Sequence, residues 1–114
     1  MDKEEFYNNY KPFGNQMILE IIKDFKSDIP DKLNRLHAAI EQKSFDEIKQ
    51  ISHNVKGSLG VFYDEDARQQ AYKLEMSSKN ENADDLDQQF QKLSELVNQL
   101  SNELEQIKNE LENE

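Results

Sequence analysis

The sequence predicts an all-α protein: an antiparallel four-helix bundle with an additional short N-terminal helical segment and a long C-terminal helix. Three observations predict it. The 114 residues include only 3 Gly and 2 Pro, too few breakers for a turn-dense β protein or a collagen-like one. Apolar residues recur at helical spacing along most of the chain and nowhere alternate as a half-buried strand requires. Helix-start signals stand ahead of several of those apolar stripes. A chain of this length buries roughly two-thirds of its unfolded surface, enough for one modest core. Residues 1–114 are therefore expected to form a single domain, with the bundle core at about 15–111.

Taken in order, residues 1–13 are aromatic-rich (Phe6, Tyr7, Tyr10, Phe13) and form either a short helix or a tail laid over the bundle. Ile18, Ile21, Ile22 and Phe25 make one apolar face of a helix near 15–27. Asp28 is expected to cap a second helix, with Pro30 in its first turn and Ile29, Leu33, Leu36 and Ile40 as its stripe. Ser44 and Glu47 have the spacing of a capping box and open a third helix. Asp64 caps a fourth near 65–79, with Ala67, Ala71 and Leu74 inside. Asn82 is expected to cap the fifth, with Asp84 and Asp85 in its first turn at the positive end of the helix dipole. Leu86, Phe90, Leu93, Val97, Leu100, Leu104, Ile107 and Leu111 then alternate at spacings of four and three, a heptad seam. A helix over 83–111 would be about 44 Å long. Its end either overhangs the bundle or finds a partner.

Charge and composition exclude several functions. The net charge of −10 argues against nucleic acid, which needs clustered Lys and Arg. The acidity is uneven: 14 acids face 12 bases in residues 1–80, but 10 acids face 2 bases in 81–114. No apolar run approaches the roughly 20 residues of a membrane span, and no secretory apolar region follows Met1. The chain has no Cys, which removes disulfides and thiol chemistry and makes a reducing cytoplasm the expected setting.

The third helix carries the functional signal. At about 100° per residue, Ile48, Ile51, Val55, Leu59 and Phe62 all fall within about 40° of one direction, while His53 lies about 160° from it. His53 should therefore face water. Gly57 and Gly60 flank it on the same outer face, although a Gly inside a helix costs about 1 kcal/mol relative to Ala. Gly60 reads either as a C-cap or, with Gly57, as bare backbone that lets another protein approach. Lys56 stands one turn from His53, where its ammonium can meet an anion on the ring.

These residues resemble the histidine-containing phosphotransfer (HPt) domain family, whose motif reads roughly H-x-x-K-G-[SA]-[SA]. His53-Asn54-Val55-Lys56-Gly57-Ser58 matches its first six positions, and Leu74-Glu75 lies where the family has an L-E pair. Ala39-Ile40 through Ser44-Phe45-Asp46 is similar to the family's lead-in, and the resemblance covers about residues 18–80, with the last helix fitting the fourth bundle helix. Leu59 departs from the second small residue, and Tyr63 stands where a Gly often follows the motif.

The resemblance implies a phosphoryl carrier of a two-component phosphorelay. His53 would accept a phosphoryl group from a receiver-domain aspartate and pass it to another receiver. An imidazole suits that role, since its ordinary pKa of about 6.5 leaves a neutral nucleophile near pH 7. Lys56 would stabilise phosphoryl charge, Gly57 would give clearance, and Lys49, Gln50, Asn54 and Gly60 would contact the partner. The implied partners are response-regulator receivers and a histidine kinase, a hybrid one by expectation. The chain itself would bind no cofactor, the Mg²⁺ belonging to the partner's receiver.

No phosphate-binding glycine loop is present, so the chain is expected to be a carrier and not an ATP-using enzyme. A rival reading is a non-catalytic adaptor that dimerises through the acidic heptad helix; the carrier is otherwise expected to be a monomer. Metal chemistry fits poorly. The only histidines are His37 and His53, there is no H-E-x-x-H or EF-hand loop, and Asp64-Glu65-Asp66 reads as a capped helix start.

Overall fold

The apolar stripes fold into helices throughout the computed structural model, which describes residues 1–114. These are α1 (Lys3–Tyr10), a 3-10 turn (Lys11–Phe13), α2 (Asn15–Glu41), α3 (Phe45–Gly60), α4 (Glu65–Lys79) and α5 (Leu86–Glu112). There is no strand, and no helix is long and apolar enough to cross a membrane.

The expected break at Asp28 is not there. Residues 15–41 form one helix with Pro30 in its interior, and Asp28 is an exposed mid-helix residue instead of a cap. Ile18, Ile22, Phe25, Ile29, Leu36 and Ile40 explain why: all are buried, and all share one phase across the proline. The lost backbone bond costs about 3 kcal/mol. Burying six such side chains in register is worth roughly 1.5–3 kcal/mol each, so continuity wins.

Two other start signals also act differently. Ser44 is the N-cap residue of α3, but its side chain caps nothing. Its own N–H donates to the Ala39 carbonyl at 3.0 Å as the chain leaves α2, so the donor that Glu47 would reach in a capping box is already used. Asn82 accepts from the Asp84 N–H at 2.9 Å in a local turn, and α5 begins at Leu86 after Asp85 in the left-handed region (φ 62°). Asp84 and Asp85 thus precede the helix and do not lie in its first turn. Asp64 does cap α4, accepting from the Ala67 N–H at 3.1 Å.

Short links make consecutive helices antiparallel neighbours, and α2 closes the ring against α5. Lys26 pairs with Glu105, and His37 lies 5.1 Å from the Phe90 ring, which fixes the opposed directions of α2 and α5. With 27 residues each, α2 and α5 are about 40 Å long, against about 24 Å for α3 and α4. Their ends run past the α3–α4 hairpin and are covered by α1. Phe6 is fully buried, stacks on Phe62 at 5.6 Å, and Phe62 meets Phe25 edge-on at 4.9 Å. Lys3 pairs with Glu110 on α5, and Lys11 with Glu114 just past its end.

The N-terminal segment is therefore the cover that the long helix requires. Seven residues of the heptad seam are buried and Phe90 is partly buried, all within one chain. An adaptor that paired through this seam would first have to open the bundle.

Candidate functional site

Helix α3 separates an inner stripe from an outer face. Ile48, Val55, Leu59 and Phe62 are at most 1 % exposed and Ile51 is 8 % exposed, as the angular count requires. Ser52, which that count did not address, is buried among them and satisfies its hydroxyl by donating to the Ile48 carbonyl at 2.6 Å. On the opposite side the His53 side chain is 70 % exposed.

The ring of His53 is nonetheless held. Its Nδ1 lies 3.0 Å from Oε1 and 3.2 Å from Oε2 of Glu75, on the neighbouring helix α4. Burial alone would push the Glu75 carboxyl up. Hydrogen bonds from Lys56 and His53, with the charges behind them, outweigh that and hold it below the ordinary value of 4.5. An ionised carboxylate only accepts, so Nδ1 must carry the proton it donates. In the neutral ring the lone pair is then on Nε2, which has no hydrogen-bond partner in the chain.

Lys56 does not project freely toward that nitrogen. Its Nζ donates to Glu75 at 2.9 and 3.1 Å and lies 5.0 Å from the centre of the Tyr72 ring. The side chain is only 19 % exposed. One carboxylate thus bridges the imidazole and the ammonium, and Lys56 keeps the site from being net negative when the ring is neutral.

The glycines flanking His53 have no internal reason. A Cβ on Gly57 would meet nothing within 4 Å, and one on Gly60 would only touch Arg68 Cδ at 4.0 Å. Neither has the positive φ of a left-handed cap, so the C-cap reading of Gly60 fails. That conformation falls to Tyr63 (φ 53°), three residues later, where glycine would be unstrained. The Tyr63 carbonyl accepts from the Asp2 N–H at 2.8 Å, which ties the turn to the N-terminal segment.

Lys49, Gln50 and Asn54 share an open depression with His53, lined from α4 by Tyr72, Glu75, Met76 and Lys79. Gly60 is not part of it and sits at the far end of α3. The α4 residues other than Glu75 were not singled out from the sequence. Their signal was present: positions 72, 75, 76 and 79 share one helix face, a step round from the buried Ala71, Leu74 and Ser78.

No curated protein and no solved structure significantly matches the chain. One family model does, described as Hpt domain, and it covers residues 20–111. That span takes in α3, α4, nearly all of α5 and most of α2, beyond the motif and its neighbours. The chain belongs to the Hpt domain family, whose members carry phosphoryl groups on a histidine in phosphorelays and hold no kinase site of their own.

Proposed function

We propose that this protein relays a phosphoryl group between receiver domains through Nε2 of His53. The observation that carries the reading is the held but outward ring: Nδ1 is fixed by Glu75 while Nε2 faces solvent. In the forward step the Nε2 lone pair attacks the phosphorus of a receiver's aspartyl phosphate. The P–N bond forms, the P–O bond to the aspartate breaks, and the carboxylate leaves with the electron pair. Return transfer to a second receiver's aspartate runs the same step backwards.

The chain's own contribution is positioning and charge balance, which phosphoryl transfer demands above all. Glu75 orients the ring and stabilises the positive charge that grows on it as the P–N bond forms. Lys56 neutralises Glu75, so the arriving phosphoryl group meets no uncompensated anion. Gly57 leaves bare backbone one turn from the ring, and Lys49, Gln50 and Asn54 border the approach. We assign the Mg²⁺ of the exchange to the receiver, and a histidine kinase to the upstream end of the relay. One chain is sufficient for the site.

The test is incubation of the purified protein with a phosphorylated receiver domain, followed by detection of acid-labile, base-stable phosphate. Label is expected on the wild-type protein and none on His53→Gln, whose circular dichroism and melting should match the wild type because the ring is mostly exposed. Equal labelling of the His53→Gln variant would refute the reading.

A further inference from the structure

We propose that Tyr72 is a positioning residue of the transfer site: its ring face holds the Lys56 ammonium on Glu75, and through that pair it steadies the His53 ring. The assignment rests on the phosphotransfer reading above and deepens it, naming what keeps the bridging carboxylate and its counterion in place.

Tyr72 has no duty in the core. Ala71 and Leu74, which bracket it on α4, are fully buried, whereas Tyr72 is 41 % exposed, one of three large apolar side chains left in solvent. Of the three, only Tyr72 borders the depression that holds His53. Burial of apolar area does not account for an aromatic residue here, but its neighbour on α3 does. The ring centre lies 5.0 Å from Lys56 Nζ, within the roughly 6 Å at which the negative face of an aromatic ring attracts an ammonium. Tyr72 stands three residues before Glu75, so ring and carboxylate share one face of α4 and meet the same ammonium.

An ion pair on an outer helix face is ordinarily loose, because water screens it and two long side chains lose entropy to form it. This pair is not open. Lys56 is 19 % exposed and Glu75 14 %, although the His53 side chain beside them is 70 % exposed. Glu75 offers Nζ its two oxygens and Tyr72 offers a π face. An aliphatic side chain of similar size would bring bulk to the pair but no negative face.

Loss of the ring has a chemical consequence. A mobile Lys56 leaves Glu75 partly uncompensated, and a free carboxylate repels the arriving phosphoryl anion. It also lets the carboxylate move, and the contact to Nδ1 at 3.0 Å moves with it. In-line approach to Nε2 depends on that contact. The ring at position 72 therefore acts on the rate through Lys56 and Glu75, without touching the phosphoryl group.

The test compares Tyr72→Phe, which keeps the ring face, with Tyr72→Leu, which keeps apolar bulk alone. Each is labelled by a phosphorylated receiver that charges the wild-type protein and, in parallel, by phosphoramidate. With this small donor the Nε2 lone pair attacks phosphorus, the donor's P–N bond breaks and ammonia leaves, so no docking is needed. Tyr72→Leu should slow labelling of His53 about two- to fivefold with both donors, the range of an exposed cation–π contact, and Tyr72→Phe should match the wild type. In a Lys56→Met background, Tyr72→Leu should slow labelling no further. The Lys56 Cε protons should show an upfield ring-current shift in the wild type and Tyr72→Phe that Tyr72→Leu loses. The Glu75 carboxyl, which Lys56 helps to hold low, should titrate higher in Tyr72→Leu when followed by ¹³C NMR. Slowing with the receiver alone would make Tyr72 a docking residue and overturn the assignment. So would equal slowing in the Lys56→Met background, loss of rate in Tyr72→Phe, or undiminished labelling of Tyr72→Leu. Each of these outcomes leaves phosphotransfer at His53 standing. Failure of both donors to label the wild type would refute phosphotransfer and the positioning role with it.

Discussion

At the end of the bundle covered by α1, each departure from regular helix has a reason inside the chain. Gly14 adopts φ 98° and ψ 155°, a conformation closed to other residues, because the chain must turn there from the 3-10 segment into α2. Phe6 leaves solvent to stack on Phe62, and Lys3 and Lys11 meet the acids at the end of α5. The outer face of α3 is different. Gly57 has ordinary helical geometry and empty space around it, and the His53 side chain is mostly exposed. One region is explained by contacts inside the chain, whereas at Gly57 the fold supplies no such contact and the proposed docking of a receiver would account for the bare backbone.

The outer face of α3 is most sensitive at Glu75. Glu75→Ala frees the ring and removes the counterion of Lys56. The misplacement should slow transfer by about 10- to 100-fold, read from the rate of His53 labelling. Glu75→Gln keeps an acceptor for Nδ1 and should recover part of the rate; if it recovers none, orientation is not what Glu75 supplies. The same carboxylate carries a pH signature. Its pKa is depressed in the folded state, so its contribution is fully present above the ordinary value of 4.5 and is lost as pH falls through the lower, folded value. The stability gap between wild type and Glu75→Ala should therefore close on acidification below about pH 4.5, measured by denaturant melts.

The glycines give the next contrast, with opposite signs. Gly14→Ala forces a side chain into the disallowed turn and should destabilise by about 1–3 kcal/mol, with transfer kept in the folded protein. Gly57→Ala should do the reverse, gaining up to about 1 kcal/mol in helix propensity while slowing transfer from a receiver. Thermal melts and labelling rates on the two variants check this. A Gly57→Ala protein that is more stable and equally fast would show that the bare backbone serves no partner.

Much of this was legible in the sequence because amphipathic periodicity is a strong signal. The inward stripe of α3 and the outward His53 follow from residue spacing alone, and so does the heptad seam of α5. Signals that depend on local competition misled. Asp28 and Pro30 look like a helix start, yet the stripe from Ile18 to Ile40 keeps phase across them and overrides the local rule. The Ser44 and Glu47 pair has capping-box spacing, but the turn out of α2 takes the donor first. Asn82 is a good cap residue used instead in a turn four residues before α5 begins. The engagement of Lys56 with Glu75 was hidden because it crosses between helices, and no spacing within α3 reports it. Motif matching pointed to Glu75 only as half of a pair, without its contact to the ring.

In the proposed relay, Glu75 fixes the proton on Nδ1 and leaves Nε2 of His53 as the nucleophile. Nitrogen-15 NMR of the imidazole before and after phosphorylation tests it most directly. Nδ1 should be protonated and hydrogen-bonded in the neutral ring, with phosphorus coupled to Nε2 in the product. Phosphorus coupled to Nδ1, or a ring protonated on Nε2 before reaction, would contradict it.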